Sequence, residues 1–217
     1  MVLKKDLLIE IRTREIVTTA GFFAALTTVM ASVAFYAGET TTKKIGPGAV
    51  WLPIAFASVL ALSRTWQRER EESALVGLLV APIPRAALFA GKAVGVALFI
   101  GAVSLIVVPL VALLFHVELL QVWFPLAILL ALGNVGIAAM GTLFGAMTVR
   151  TRARDLILAS VLFPLLSPMM LLGVAGTREV FEGAPIAELT GYFMLLAMFD
   201  TIAIVGGLAM FGALVEE

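Results

Sequence analysis

The stretch AVGVALFIGAVSLIVVPLVALLF, residues 93–115, contains no charged side chain and a single hydroxyl, that of Ser104. A helix rises 1.5 Å per residue, so this run is long enough to cross a hydrocarbon core of about 30 Å. The whole chain fits that interpretation, because 61% of its residues are hydrophobic and 14% are charged, whereas about a quarter of a soluble domain is charged. The sequence therefore predicts an integral membrane protein.

Five further runs have the same character. The six predicted spans are 16–38, 45–63, 93–115, 123–148, 156–176 and 189–215. Each run is long and continuous, which favours helices over the short alternating strands of a barrel. We therefore expect an all-α integral membrane protein in which residues 1–217 form one membrane domain with six transmembrane helices.

Basic residues fix the expected orientation, because loops rich in lysine and arginine stay in the cytoplasm. All but Lys43, Lys44 and Arg178 of the 15 basic residues fall at the N-terminus or in the second and fourth loops. Both termini are therefore expected in the cytoplasm of a multi-pass membrane protein. This orientation also places Trp51 and Trp123 near the outer interface, where amphipathic rings are common.

Residues 1–15 precede the first span and have the pattern of an amphipathic helix. Apolar side chains recur on one side, and charged ones lie elsewhere. The apolar positions are Leu3, Leu7, Leu8 and Ile11. We expect this segment to lie flat on the inner leaflet as an interfacial anchor.

The loop between the second and third spans, 64–90, contains TWQREREESALVGLLVAPIPR, residues 65–85. If this stretch is helical, a charged first half is followed by a stripe formed by Leu75, Leu78 and Leu79, and prolines end it. Two interpretations stay open. The leucines either contact lipid headgroups and the base of the bundle, or they dock a soluble partner protein.

Two polar or irregular features interrupt the spans. Pro164 and Pro168 each remove a helical hydrogen bond, so we expect a kink or break that either improves packing or lines a transport path. Asp200 lies well inside the sixth span and must face protein or water. It could pair with a substrate, stay protonated, or accept a hydrogen bond from a hydroxyl such as that of Thr142 or Ser104.

Several chemistries are excluded or disfavoured by composition. The chain has no cysteine and one histidine, so we expect no disulfide and no metal site. It has no phosphate-binding loop, since Gly91-Lys92 is followed by Ala93 and lacks the upstream glycine. We therefore expect no ATP hydrolysis by this chain itself.

A second cytoplasmic stretch, GTLFGAMTVRTRARDLILASVLFPLLSP at residues 141–168, completes a pair of motifs. Together with residues 65–85 it resembles the haem exporter protein B family, the permeases of cytochrome c maturation. Ser73 departs from the family pattern, which usually has glycine there. The resemblance implies an ABC-2-like permease bundle that exports or releases haem in the bacterial cytoplasmic (inner) membrane.

The same resemblance implies a coupling helix and partners. A separate ABC ATPase subunit, in two copies, would hydrolyse ATP, and its groove would cover the cytoplasmic leucines. The implied coupling surface is Glu69, Glu71, Glu72, Leu75, Leu78 and Leu79. A homodimer, further haem-handling membrane subunits and membrane lipid are the other implied partners, with no nucleic acid and no tightly bound cofactor. His116, at the outer end of the third span, becomes a candidate haem contact.

Two other functions stay open at this stage. A secondary transporter of a small amphiphile would need several polar groups near the midplane, and Asp200 stands nearly alone. A membrane assembly scaffold would need no coupling helix. The glycine pairs Gly91/Gly95 and Gly141/Gly145 could serve contacts between chains, but packing within one chain is the favoured use.

Overall fold

The computed structural model of the chain describes residues 2–35, 39–71, 84–148 and 154–216. Within these ranges the chain forms seven α-helices and no strand. They are α1 (Val2–Thr13), α2 (Glu15–Ala34), α3 (Glu39–Glu71), α4 (Arg85–Leu114), α5 (Leu119–Thr148), α6 (Arg154–Phe181) and α7 (Ile186–Glu216). Six of these helices, α2 to α7, are long and apolar enough to cross a membrane. The predicted all-α fold with six spans is confirmed.

Several helices extend beyond the apolar runs that predicted them. α3 continues to Glu71, because the residues after the apolar run include neither glycine nor proline and can continue the helical hydrogen bonds. α4 begins at Arg85, directly after Pro84, whose carbonyl accepts the N–H of Ala87 (2.9 Å). The loop predicted over 64–90 is therefore helical at both ends.

The first span is shorter than predicted. α2 ends at Ala34, and the N–H of Phe35 donates to the carbonyl of Ala31 (3.0 Å) to close the last turn. The prediction extended this span to 38, and residues 36–38 lie outside the described part of the chain.

α3 and α5 lie at the centre of the bundle. In each of them 67% of the apolar span is buried, against 22% in α7. α5 contacts α3, α4, α6 and α7. Aliphatic side chains on these facing surfaces form the main core, among them Ile54, Val107, Leu129, Ile137 and Leu166. This shared core holds α5 in contact with its four neighbouring helices.

Trp51 of α3 lies in this core and faces protein rather than lipid, and its depth near the outer interface stays a prediction. Its ring is fully buried and fills the space left by Gly133 of α5 and Gly173 of α6. A Cβ on Gly173 would lie 2.6 Å from the ring, closer than any real contact. The indole N–H donates to Thr177 Oγ1 (2.8 Å), which satisfies its one polar group inside the bundle.

The same packing continues along α3. Leu62 lies against Gly141 and Trp66 lies against Gly145, both on α5. On α4, Gly95 faces Leu3 of α1. These glycines therefore serve packing within the chain, as predicted.

α1 packs against α4 and α2. Leu3 and Leu7 are partly buried, whereas Leu8 and Ile11 are exposed. The amphipathic helix is confirmed, but part of the face expected to contact lipid contacts protein.

Candidate functional site

At one end of the bundle, α1 lies close to the start of α2, the end of α3 and the start of α4. Leu7 packs with Ala61 of α3 and Phe99 of α4. At the same end, Arg64 Nη1 lies 3.6 Å from Glu15 Oε1. This is the end at which the predicted coupling segment leaves and re-enters the bundle.

The predicted coupling surface lies mostly beyond the described residues. The backbone of Glu69 and Glu71 belongs to the C-terminal turns of α3. Glu72, Leu75, Leu78 and Leu79 lie in 72–83, outside the described ranges. Their contact with an ATPase therefore stays a prediction.

A buried cluster holds the two helix ends that flank residues 72–83. Trp66 near the end of α3 and Leu88 and Phe89 near the start of α4 are each almost completely buried. Phe211 of α7 packs with them, and its ring centroid lies 5.6 Å from that of Phe89. These buried rings form an aromatic base that holds both helix ends in place.

A buried ion pair ties α1 to this end of the bundle. Lys92 Nζ lies 2.7 Å from Asp6 Oδ2, and Lys92 is 2% exposed. Lys5 lies on the other side of the carboxylate, 3.7 Å from Oδ1. Sequence reasoning missed the pair. The available signal was a lysine at the start of an otherwise apolar run, since such a charge needs a partner when it is buried.

The carboxylate of Glu10 provides a second connection, between α1 and α2. α2 begins after Arg14, which has a left-handed φ of 54° and gives no side-chain cap. Glu10 Oε1 instead accepts the backbone N–H of Val17 in the first turn of α2 (2.8 Å). A negative charge is favourable there because the helix N-terminus carries a partial positive charge. Asp6 and Glu10, one turn apart, both therefore face the protein.

α6 is continuous through Pro164 and Pro168, so the helix does not break there, and the alternative of a kink stays a prediction. Pro168 cannot donate to the carbonyl of Pro164, and the hydroxyl of Ser167 donates to it instead (2.7 Å). Both prolines lie on the exposed side of α6. A role in a translocation path stays a prediction.

Asp200 of α7 is buried beside Gly136 of α5 and Met169 of α6. Its Oδ1 has no hydrogen-bond partner among the described residues, and neither predicted donor reaches it. Thr142 Oγ1 also lacks a partner within that part of the chain, and Ser104 bonds elsewhere. The predicted hydrogen bonds from these two hydroxyls are wrong.

Ser104 pairs with a residue that sequence reasoning missed, Asn134 of α5. Asn134 Nδ2 donates to Ser104 Oγ (3.1 Å), and that hydroxyl donates to the carbonyl of Ile100 (2.9 Å). Asn134 Oδ1 has no partner among the described residues. An amide inside a predicted span was the available signal, because polar groups in hydrocarbon need partners.

His116 lies at the opposite end of α4 from Lys92, in the short connection to α5. It is exposed and has a φ of 55°. A pocket of about 480 Å³ extends from it to Glu118, Gln121 and Glu182. Apolar side chains such as Val122 and Phe181 also line this pocket, and haem contact by His116 stays a prediction.

The chain resembles known proteins over most of its length. The family described as CcmB protein matches residues 1–215. A protein of Rhodobacter capsulatus named Heme exporter protein B is 30% identical over 153 residues, which cover 68% of this chain and 69% of the relative. Proteins of the same name from Pseudomonas aeruginosa and Bradyrhizobium diazoefficiens are 26% and 25% identical. These matches cover 75% and 77% of this chain, and 71% and 74% of the respective relatives.

Proposed function

This chain belongs to the CcmB protein family, and from that membership we propose that it is the membrane permease subunit of an ABC-type haem exporter. The observation that carries the proposal is the family match over 1–215, on a chain with six helices able to cross the membrane. Its proposed task is to export or release haem for cytochrome c maturation outside the cytoplasm.

ATP hydrolysis belongs to a separate subunit in this proposal. The chain carries no phosphate-binding loop, so it needs a partner to convert nucleotide binding into movement. We place two copies of that ATPase on a homodimer of this chain, which together supplies twelve spans. Further haem-handling membrane subunits complete the assembly.

The coupling contact is proposed at residues 69–79, with Glu69, Glu71 and Glu72 at its charged end and the leucines on its apolar face. Two features support this choice. The segment lies between α3, the most central helix with α5, and α4. The aromatic base around Trp66 and Phe89 holds the helix ends on both sides of this segment. We therefore expect a movement of the segment to be passed on to α3 and α4.

The proposed orientation places this end in the cytoplasm of a bacterium, with both chain termini on the same side of the inner membrane. The basic residues of the N-terminus and of the second and fourth loops support it. Haem is then the transported ligand. Pro164, Pro168, Asp200 and, at the outer end, His116 are the residues we propose to examine along its route.

The decisive experiment is a purification of the full chain from native membranes in mild detergent, with identification of co-purifying proteins and an ATPase assay. We expect an ABC ATPase subunit to co-purify with the wild type and to be lost when Glu69, Glu71 and Glu72 are changed to alanine. Leu78→Asp should insert as well as the wild type but lose ATPase stimulation and cytochrome c maturation. Leu8→Asp, at an exposed apolar position on α1 outside the six spans, controls for the added charge.

Either of two outcomes would contradict the proposal. A chain that binds no ATPase but still moves an amphiphile would be a secondary transporter. A chain whose charges at 69–72 can be changed without loss of cytochrome c maturation would be a scaffold.

A further inference from the structure

We propose that the basic face of α1 binds the headgroups of acidic phospholipids. This face consists of Lys4 and Arg12 on the outer side of α1 and of Arg14 directly after its last turn. The ligand is a phosphodiester headgroup with a net negative charge, and phosphatidylglycerol is the probe. The sequence predicts only that this segment lies on the membrane, whereas the proposal names the side chains and the class of lipid. It does not depend on the molecule that is transported or on contact with the ATPase.

The charges of α1 are separated by sign between its two sides. Both of its carboxylates, on Asp6 and Glu10, face the protein and have partners there. Glu15, the first residue of α2, lies beside Arg64 (3.6 Å). The three cations of the basic face are exposed, and none of them forms an ion pair within the described residues. The side of α1 that faces away from the bundle is therefore positive and lacks a counter-charge in that part of the chain.

The depth of α1 places this face at the level of the headgroups. α1 lies against the start of the charge-free run 93–115, where Leu3 faces Gly95 and Leu7 packs with Phe99. Because a helix rises about 1.5 Å per residue, these contacts lie about 3 and 9 Å along α4 from Ala93. α1 is therefore located where the hydrocarbon core begins, and long basic side chains at that depth extend to the phosphates.

An exposed aliphatic side chain favours lipid over a soluble partner. Ile11 lies on the same side of α1 as Lys4, two turns further along, and is 69% exposed. At this depth it meets acyl chains, whereas an acidic protein or a free phosphate ion would leave it in water. Basic and aliphatic side chains on one face are typical of helices that bind acidic membranes.

The test is fluorescence quenching in vesicles that contain the full chain in a fixed mixture of phosphatidylcholine and phosphatidylglycerol. Since the chain has no cysteine, Ile11→Cys provides a single site for a bimane label. The acyl chains of one lipid are brominated at a time. Because the bromine atoms have the same depth in either lipid, the ratio of the two quenching efficiencies, corrected for mole fraction, reports which lipid contacts the label. We expect phosphatidylglycerol to be enriched about fivefold, the effect of one basic side chain near an acidic membrane surface.

The matched control carries the label at Met198→Cys. This position is 58% exposed on α7, a helix that contains no basic residue. We expect no enrichment there. An equal ratio at the two positions would overturn the proposal, and the cations of α1 would then contribute only to the orientation of the chain in the membrane.

Charge variants test whether the basic face causes the enrichment. The triple variant Lys4→Gln, Arg12→Gln and Arg14→Gln should lower the ratio at position 11 to the value at position 198. Replacing the same three residues by glutamate should lower the ratio below one, since acidic headgroups are then repelled. Enrichment that survives the glutamine variant would refute the role of this face.

A control variant removes the same amount of charge at the opposite end of the bundle, where Gly46 faces Phe181. It combines Lys43→Gln and Lys44→Gln near the start of α3 with Arg178→Gln near the end of α6. The ratio at position 11 should stay at the wild-type value. An equal fall in this variant would mean that net charge, and not the basic face, attracts the lipid.

The thermal midpoint of the purified chain in detergent separates lipid binding from a structural role. Because the three cations have no ion-pair partner within the described residues, the glutamine variant of the basic face should keep the wild-type midpoint. A loss of enrichment together with a fallen midpoint would show that these side chains hold α1 in place, and would refute binding of lipid by them.

Discussion

Replacing Lys92 by methionine removes the ammonium group that neutralises Asp6 between α4 and α1. The two charges are 2.7 Å apart, and Lys92 is 2% exposed. Loss of one partner of a buried pair costs about 3–5 kcal/mol, because the other charge stays buried. Lys5, 3.7 Å from the same carboxylate, compensates in part, so we expect the lower end of that range.

The cost should fall on the docking of α1, because the pair joins that helix to the rest of the bundle. About 3 kcal/mol changes the ratio of docked to undocked α1 by about 100-fold. The six spanning helices keep their own contacts, so the variant should still insert and purify. Lys92→Met therefore tests a local equilibrium rather than global folding.

Because the chain has no cysteine, a single introduced cysteine can be labelled without background. A cysteine introduced at Leu3, which faces Gly95, should react slowly with a water-soluble maleimide in the otherwise wild-type chain. It should react up to about 100-fold faster with Lys92→Met, as the docking energy predicts. Leu8→Cys, at an exposed position on the same helix, should react equally fast in both backgrounds.

A double variant completes the design. Asp6→Asn together with Lys92→Met removes both charges of this pair, so labelling at position 3 should return towards the slow wild-type rate. If Lys92→Met alone leaves the labelling rate unchanged, the ion pair does not hold α1 and this reasoning fails.

Three further outcomes are expected, each measurable as the thermal midpoint of the purified chain in detergent. Gly133→Ala forces a methyl group into a buried indole ring and should destabilise by about 1–3 kcal/mol, whereas Gly206→Ala, which meets no neighbouring atom, should be tolerated; equal midpoints for the two would contradict the packing. Glu10→Ala removes the acceptor for the N–H of Val17 and should cost about 1 kcal/mol, and a midpoint that does not fall would show that this cap is not needed. Asp200→Asn should not lower the midpoint, because Oδ1 of the carboxylate has no donor within the described chain; a clear fall would reveal a partner there.

The spans could be predicted from sequence because hydrocarbon thickness imposes a minimum length on any apolar helix. Helix ends were less predictable, since helical hydrogen bonds do not stop at the membrane surface. α3 reaches Glu71 through a charged segment, and α4 begins at Arg85 directly after a proline. Local chemistry therefore fixed these boundaries more than hydropathy did.

The contacts inside the bundle could not be predicted, because their partners are far apart in sequence. Tryptophan is a residue type common at the membrane interface, and the glycines at 133 and 173 make room for Trp51 in the core. Asp6 and Lys92 pair across 86 positions. A one-dimensional pattern identifies residues that need a partner, as it did for Asp200, but not which residue meets that need.

The glycine and side-chain packing between α3 and α5 has a mechanical consequence. Large side chains of α3 occupy gaps in the α5 backbone surface at Gly133, near the middle of α5, and at Gly145, near its C-terminal end. Such interlocked helices cannot slide or rotate past each other without expelling an indole ring. We therefore expect α3 and α5 to move as one unit, so that a push on the end of α3 at Glu71 would tilt α5 with it.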